Sequence, residues 1–299
     1  MSTSHDDARA LLDQGQGTAT PRRAVLGAML GAGYAAVAGP VQAQTAIKTP
    51  ADGLVTGETL IDTSAGGKLP MVRSAPAGRT GLPVVLVVSE IFGVHEYIAD
   101  VTRRLAREGY LAIAPELFFR HGDPSSYGEM AKLMAEVVNK TPDQDVMRDL
   151  DACVAWAAAN GGDVSRLAIT GFCWGGRHTW LYAAHQPRVK AAVAWYGRLV
   201  GAPSPITPSQ PIDHAAKLHA PVLGLYGGAD TGIPLASVEQ MKAALQAPAA
   251  TAASRASQFV VYPDTPHAFH ADYRPSFRQG PAEDGWKRML QWLRQHGVA

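Results

Sequence analysis

The sequence has few cysteines, almost no net charge and no long apolar run, and each shortage excludes a class of protein. Two cysteines in 299 residues exclude a disulfide scaffold and a cysteine-rich metal site. The formal net charge of +1 gives no strong field that would favour nucleic acid or an acidic partner. No run of 18 or more apolar residues occurs, so we expect no conventional membrane span. With 46% hydrophobic residues, the chain suits a globular enzyme or binding domain.

The N-terminal segment is typical of an export signal. Arg22 and Arg23 stand directly before a soft, glycine-rich apolar run at 24–39, and small residues follow it at the expected cleavage position. The arginine pair resembles a twin-arginine signal, which the export machinery reads as an address. An N-terminal anchor helix is the alternative, but the run is too short and glycine-rich to span a bilayer comfortably. We predict a cleavable signal over 1–43, a single domain over 44–299, and a periplasmic or secreted protein.

The rest of the sequence alternates apolar runs with amphipathic stretches. Residues 84–88 are apolar at every position, as expected for a strand buried on both faces of a parallel sheet. Strands that alternate with helices are joined by right-handed crossovers. We therefore predict an α/β fold with a doubly wound, mostly parallel sheet and helices on both faces. The predicted strands are 56–61, 69–74, 84–88, 111–114, 166–170, 189–195, 222–226 and 259–262, and the predicted helices are 96–108, 175–185, 235–245, 283–295 and one beginning near 141.

Local patterns add detail at one helix start and in two loops. Near residue 141, the sequence predicts Thr141 as the N-cap, Pro142 at the first helical position and Gln144 completing a capping box. The stretches 203–210 and 246–257 are rich in proline or in small residues, so we predict loops there.

A sharp turn between a predicted strand and a predicted helix carries Cys173. This residue lies at the centre of a G-x-C-x-G sequence between Gly171 and Gly175, which matches a nucleophile elbow with cysteine in place of serine. The glycines allow neighbouring backbones to approach without a Cβ clash. The helix N-terminus favours a thiolate, and the N–H of Trp174 can hold an oxyanion. A buried structural cysteine in a tight turn is the alternative for the motif taken alone.

Two residues after later strands complete a catalytic arrangement. Asp230 follows the strand predicted at 222–226, and His267 follows the strand predicted at 259–262. Triads on this kind of sheet occur in the chain order nucleophile, acid, base. His267 would accept the thiol proton and Asp230 would orient its imidazole. Taken singly, each residue is more simply a turn aspartate or a loop histidine, but the order and context of all three favour a triad.

A carboxylate follows the fully apolar strand. Glu90 lies just beyond residues 84–88 and therefore at the carboxyl edge of the predicted sheet, where ligands bind in open α/β sheets. A carboxylate there is costly unless it is paired or partly protonated. Position alone leaves two interpretations open, a role at the active site and a salt bridge to a nearby arginine.

Five short blocks together resemble the dienelactone hydrolase family, the carboxymethylenebutenolidases of the α/β-hydrolase fold. The resemblance covers most of residues 55–295. The blocks are 89–94 (SEIFGV), 171–176 (GFCWGG), 195–197 (WYG), 228–230 (GAD) and 267–269 (HAF).

The resemblance implies a role for each candidate residue. Glu90 would be the family's additional carboxylate, which contacts the resting thiol and helps to activate it when substrate binds. The backbone N–H groups of Ile91 and Trp174 would form the oxyanion hole. The implied catalytic triad consists of Cys173, His267 and Asp230.

The family's lactone substrates carry a carboxylate that arginines hold. Arg274 resembles the basic residue that follows the histidine in many members. Arg120, which follows the strand predicted at 111–114, is a candidate for the second basic residue. Phe92 and Tyr196 lie in two of the matching blocks and are expected to contact the substrate.

The expected reaction needs no cofactor. His267, His270 and Asp272 could suggest a metal site, but a divalent metal needs more ligands in defined geometry, and the triad already uses His267. We therefore predict a hydrolase that cleaves an ester or lactone through an acyl-enzyme on Cys173. The alternatives are a broader exported carboxylesterase or thioesterase, a redox or stress protein with a sensing thiol, and a catalytically silent binding protein. The Asp–His pair favours hydrolysis over the last two.

Overall fold

Eight strands form one sheet, in the spatial order β1-β2-β4-β3-β5-β6-β7-β8. The computed structural model describes residues 46–64 and 66–299, so the predicted signal at 1–43 lies outside the described residues. Strand β1 pairs with β2, and β2 with β4, in antiparallel fashion; all other neighbours are parallel. The strands are β1 (Leu54–Asp62), β2 (Lys68–Pro76), β3 (Leu82–Val88), β4 (Leu111–Pro115), β5 (Gly162–Phe172), β6 (Val189–Trp195), β7 (Val222–Gly227) and β8 (Gln258–Tyr262).

The α-helices of the described chain occur mainly between the parallel strands. The two longest have 17 residues each, and none of the helices in the described ranges is both long and apolar enough to cross a membrane. The helices are α1 (Glu96–Arg107), α2 (Met130–Glu136), α3 (Asp143–Ala159), α4 (Trp174–His185), α5 (Pro211–His214), α6 (Leu235–Leu245), α7 (Ala252–Ala256) and α8 (Gln279–Gln295).

The centre of the sheet is buried on both faces. Every residue of β3 is buried, and its side chains point alternately to the two faces of the sheet. An uninterrupted run of valine and leucine is therefore stable on this strand only if both faces of the sheet are covered. The predicted doubly wound, mostly parallel sheet is confirmed, and all eight predicted strands are present.

Two local predictions are wrong. Helix α3 begins at Asp143 after Pro142, without a side-chain cap, and the Thr141 hydroxyl instead donates to the Val137 carbonyl at 3.0 Å. A preceding 3₁₀ turn brings that carbonyl within reach, so the capping box does not form. The predicted loop at 246–257 contains the short helix α7, whose cap is supplied by Thr251. The predicted loop at 203–210 contains neither helix nor strand.

The register of the parallel strands brings their carboxyl ends to one edge. Val88 pairs with Gly171, Phe172 with Trp195, and Gly227 with Tyr262. Residues that follow these strands in sequence therefore meet above the same edge of the sheet. The candidate site lies there.

Candidate active site

Cys173 occupies a strained turn between β5 and α4. Its backbone has φ of 53° and ψ of −113°, in the left-handed half of φ space that side chains other than glycine rarely occupy. Such a conformation costs about 1–3 kcal/mol and persists only where the surroundings enforce it. Here the Cys173 N–H donates to the Trp195 carbonyl at 3.0 Å. The turn leaves the Cys173 side chain 6% exposed.

The glycines of the elbow permit backbone contacts that no larger residue would allow. A Cβ atom on Gly175 would lie 2.3 Å from the Val88 carbonyl oxygen, and one on Gly176 would lie 2.4 Å from that of Trp195. Carbon atoms do not approach oxygen so closely, so the start of α4 requires glycine at both positions. These contacts bring the elbow against the end of β3, the strand that Glu90 follows.

His267 connects Asp230 to Cys173. Its Nδ1 lies 2.6 Å from Asp230 Oδ2, and its side chain also hydrogen-bonds to Cys173. The other carboxylate oxygen of Asp230 accepts the backbone N–H groups of Gly232 at 2.9 Å and Ile233 at 3.1 Å. The acid is thus fixed by its own loop, and the three residues that the sequence singled out are brought together.

The electrostatics of this group favour a charged imidazole. Burial lowers the pKa of His267, but the Asp230 carboxylate and the Cys173 thiolate oppose that effect and hold the pKa well above its usual range. An imidazolium between two negative groups stabilises a thiolate in turn. The arrangement can therefore hold a thiolate–imidazolium pair, the reactive state of a cysteine nucleophile.

Glu90 lies beside this group and is 1% exposed. Its Oε2 accepts a hydrogen bond from the Tyr273 hydroxyl at 2.8 Å, and its Oε1 lies 3.9 Å from a guanidinium nitrogen of Arg274. Both interpretations of the sequence are therefore partly met, since the carboxylate pairs with an arginine and also lies at the site. Sequence reasoning missed Tyr273, because nothing in the local pattern distinguishes it from a packing residue.

Arg274, Phe92 and Tyr196 surround the same space. The Arg274 guanidinium lies 5.2 Å from the centre of the Phe92 ring, within cation–π range. The Tyr196 ring meets the His267 ring edge-on at 5.0 Å. Tyr196 itself has a positive φ of 38°, so a second strained residue adjoins the elbow. These three predicted substrate-contact residues all neighbour the group around Cys173.

Arg120 is placed elsewhere. Its guanidinium binds both carboxylate oxygens of the buried Asp149 at 2.7 and 2.8 Å, and its Nε donates to the Gly66 carbonyl at 3.1 Å. These contacts tie it to α3 and to the turn between β1 and β2. The structure therefore does not bring Arg120 to the group around Cys173, because a buried aspartate already occupies its guanidinium in a two-pronged ion pair.

The two expected oxyanion donors lie on either side of the contact between β3 and α4. Ile91 is buried next to Glu90. Trp174 is the first residue of α4, so its N–H has no acceptor within the helix. Both side chains join one apolar cluster with Phe118, whose ring lies 4.6 Å from that of Trp174.

A buried polar cluster anchors the first turn of α4. Arg177 binds both oxygens of Asp143 at 2.7 and 2.8 Å, and His178 lies 3.0 Å from the same carboxylate. The other ring nitrogen of His178 lies 2.9 Å from the Trp174 carbonyl. The capping pattern predicted near residue 141 gave no sign that Asp143 belongs to this cluster. The fall in the pKa of Asp143 despite burial reflects its hydrogen bonds to Arg177 and His178.

The histidine and aspartate that could suggest a metal are engaged with other partners. His270 Nδ1 lies 2.6 Å from the Tyr97 hydroxyl, and Asp272 forms an ion pair with Arg104. Across the described ranges, no group of three or more histidine, cysteine or acidic side chains could hold a metal ion.

Comparisons with known proteins identify the family of the chain. The sequence pattern of the dienelactone hydrolase family matches residues 71–297. A candidate carboxymethylenebutenolidase of Methylorubrum extorquens is 54% identical over 300 residues, covering 100% of both chains. One from Escherichia coli K12 is 55% identical over 266 residues, or 89% of this chain and 96% of that protein.

A solved structure is similar over most of the chain. The crystal structure of a candidate dienelactone hydrolase from Klebsiella pneumoniae is 54% identical, with a TM-score of 0.77, and covers 81% of this chain and 99% of that chain. The chain belongs to the dienelactone hydrolase family and is a carboxylic ester hydrolase of the carboxymethylenebutenolidase type.

Proposed function

We propose that the chain hydrolyses a carboxylate-bearing ester, in particular a dienelactone-like cyclic ester, with Cys173 as the nucleophile. The observation that carries the proposal is the single side chain of His267, which joins Asp230 to a cysteine on a strained strand–helix turn. A thiol used only for packing needs neither the strain nor the buried acid–base pair.

The reaction proceeds in two halves. The Cys173 thiolate attacks the carbonyl carbon, and the N–H groups of Ile91 and Trp174 hold the negative oxygen of the tetrahedral intermediate. His267 gives its proton to the departing alkoxide, which leaves an acyl group on sulfur. His267 then accepts a proton from water, whose oxygen attacks the acyl carbon and releases the carboxylic acid and the thiolate. Asp230 keeps the imidazole oriented throughout.

The substrate class follows from Arg274. The largely buried Arg274 guanidinium lies over the Phe92 ring and 3.9 Å from Glu90. It brings a positive charge into a site that is lined largely by aromatic rings. A substrate carboxylate would pair with Arg274 and displace Glu90 from it. A broader carboxylesterase or thioesterase on the same triad is the second candidate, favoured by the aromatic surroundings of the site. Aliphatic and aryl esters without a carboxylate distinguish the two.

A redox function for Cys173 has less support. The second cysteine, Cys153, is buried in α3, and burial raises the pKa of its thiol far above the usual range, which leaves it inert. A thiol that only senses oxidants does not need an acid–base pair that activates water to attack an acyl group.

The cellular location remains part of the proposal. The arginine pair and apolar run within 1–43 support export by a twin-arginine route and cleavage of the signal before the domain acts outside the cytoplasm.

The experiment compares the purified chain with Cys173→Ala and Cys173→Ser on cis- and trans-dienelactones and on p-nitrophenyl esters. We expect Cys173→Ala to abolish turnover with a near-native melting temperature, because it removes the covalent centre. Cys173→Ser should also be weak, since surroundings suited to a thiolate activate a hydroxyl poorly. Full turnover by Cys173→Ala would refute the mechanism, and equal kcat/KM for charged and uncharged esters would favour the broader carboxylesterase.

A further inference from the structure

The two oxygens of the Glu90 carboxylate have different surroundings. Oε2 accepts the hydrogen bond from the Tyr273 hydroxyl at 2.8 Å. Oε1 is buried and makes no hydrogen bond to any residue in the described ranges, and the Arg274 guanidinium lies 3.9 Å away. A buried acceptor without a hydrogen bond costs about 1–3 kcal/mol. An oxygen kept in that condition beside a nucleophile is a candidate for a role in the reaction rather than in folding.

Tyr273 is itself held firmly. It is 3% exposed, and its ring packs edge-on against His95 at 4.9 Å and tilted against Tyr97 at 5.4 Å. The Arg274 guanidinium lies over the same ring at 5.8 Å. Packing on these sides fixes the direction of the hydroxyl, so the hydrogen bond to Glu90 has a rigid donor.

Glu90 and Cys173 have neighbours in common. Burial lowers the pKa of Arg274, but nearby negative groups that include both Glu90 and Cys173 raise it above its usual value. The contact of Gly175 with the end of β3 brings the two residues together through the backbone as well. The carboxylate and the thiol therefore lie in the same group of residues at the carboxyl edge of the sheet.

We propose that Tyr273 is a positioning residue, which holds Oε2 of Glu90 so that Oε1 alone is left to accept the Cys173 proton. This inference rests on the proposed function. In the step, the S–H bond breaks, its electron pair stays on sulfur, and the proton forms an O–H bond at Oε1. A substrate carboxylate paired with Arg274 releases Oε1 from that arginine. Without the tyrosine hydroxyl, the carboxylate can rotate and offer either oxygen to the arginine.

The variant Tyr273→Phe removes the hydroxyl and keeps the ring. Tyr110→Phe is a matched control, because Tyr110 is also buried and donates one hydrogen bond, to the Val298 carbonyl at 3.1 Å, remote from the site. We expect Tyr273→Phe to lower kcat on a dienelactone at least about tenfold. This is less than the roughly hundredfold or more that a proton-transfer group itself supplies, because Tyr273 acts only through Glu90. KM should stay within about twofold, and the melting temperature should match that of the control. A fall in melting temperature with unchanged kcat would overturn the inference.

A double-mutant cycle with Glu90→Gln separates this inference from the proposed function. If Tyr273 acts through Glu90, adding Tyr273→Phe to Glu90→Gln should change kcat by less than about twofold, because units that act together are not additive. Independent, multiplicative effects would overturn the role of Tyr273 while leaving the triad intact. Turnover by Cys173→Ala would instead refute the proposed function, whatever the cycle shows.

Discussion

Replacing Asp230 with asparagine tests the triad with the smallest change of shape. Oδ1 of Asp230 accepts two backbone N–H groups, from Gly232 and Ile233, whereas Oδ2 faces His267 Nδ1 at 2.6 Å. An asparagine can keep its oxygen toward the two backbone donors, or turn its NH₂ group against them. Each mismatch of buried donors costs about 1–3 kcal/mol. The first orientation loses one contact and the second loses two, so the amide NH₂ will face the imidazole.

That orientation disables the base. The NH₂ group donates to Nδ1, which must then carry a lone pair, and the imidazole proton moves to Nε2. In that tautomer Nε2 already carries a proton, so His267 cannot accept the proton of the attacking water in the second half of the reaction. The loss of the carboxylate charge also lowers the pKa of His267 toward the value that burial alone would give. We expect kcat to fall about ten-thousandfold, the loss that the wrong histidine tautomer causes in a serine triad.

The assay is kcat on a dienelactone, with the melting temperature measured on the same preparation. Asp264→Asn is the matched control, since Asp264 lies on the same loop as His267 but is an exposed turn residue. Asp264→Asn should leave kcat within about twofold, the usual scatter for surface changes. If Asp230→Asn stays within about tenfold of the unmodified chain, or Asp264→Asn is the more damaging, the assignment of the acid is refuted.

Three further predictions concern stability and export. Asp143→Asn should lower the free energy of unfolding by about 3 kcal/mol in urea titrations, because it leaves a buried guanidinium without its counter-charge. Asp145→Asn, in a partly exposed pair with Arg148 of the same helix, should change it by less than about 1 kcal/mol. Equal losses would contradict the cluster. Burial first, and Arg104 second, hold the pKa of His270 well below its usual value, so the unfolded chain binds more protons and stability falls as pH drops below about 6.5. His270→Gln should reduce that slope by up to about 1.4 kcal/mol per pH unit, and an unchanged slope would exclude His270 as its source. Replacing Arg22 and Arg23 together by lysine should leave precursor in the cytoplasm, and normal export in a fractionation assay would indicate another route.

The sequence was sufficient to predict that three candidate residues meet at one edge of the sheet, because each of them follows a strand. Cys173, Asp230 and His267 lie within a few residues of strand ends, and parallel register brings such ends to one edge. Their placement therefore depends on local order and on the strand pattern alone. The elbow glycines can also be recognised from the sequence, since only glycine allows the backbones to approach so closely.

The sequence did not predict the partners of three residues, because those partners are chosen by the way the chain packs. Arg120 lies after a strand, as a substrate-binding arginine would, but Asp149 of α3 takes its guanidinium. Thr141 matches a cap, but a turn just before it offers another acceptor. Tyr273 contacts Glu90 across 183 residues of sequence. Tertiary packing decides which of several possible partners a side chain meets, and local sequence patterns do not show that choice.

The site therefore has two kinds of support. Cys173 and the end of β3 that precedes Glu90 are placed by backbone contact at glycine, which leaves almost no freedom. Arg274 and Tyr273 lie on a loop that is held by side chains, through the buried ion pair of Asp272 with Arg104 of α1. Backbone contacts fix the groups that must meet to break a bond, whereas a loop held by side-chain contacts can change its sequence without disturbing them. Variation among related enzymes in the substrate they accept should then concentrate in this loop, with the elbow left as it is.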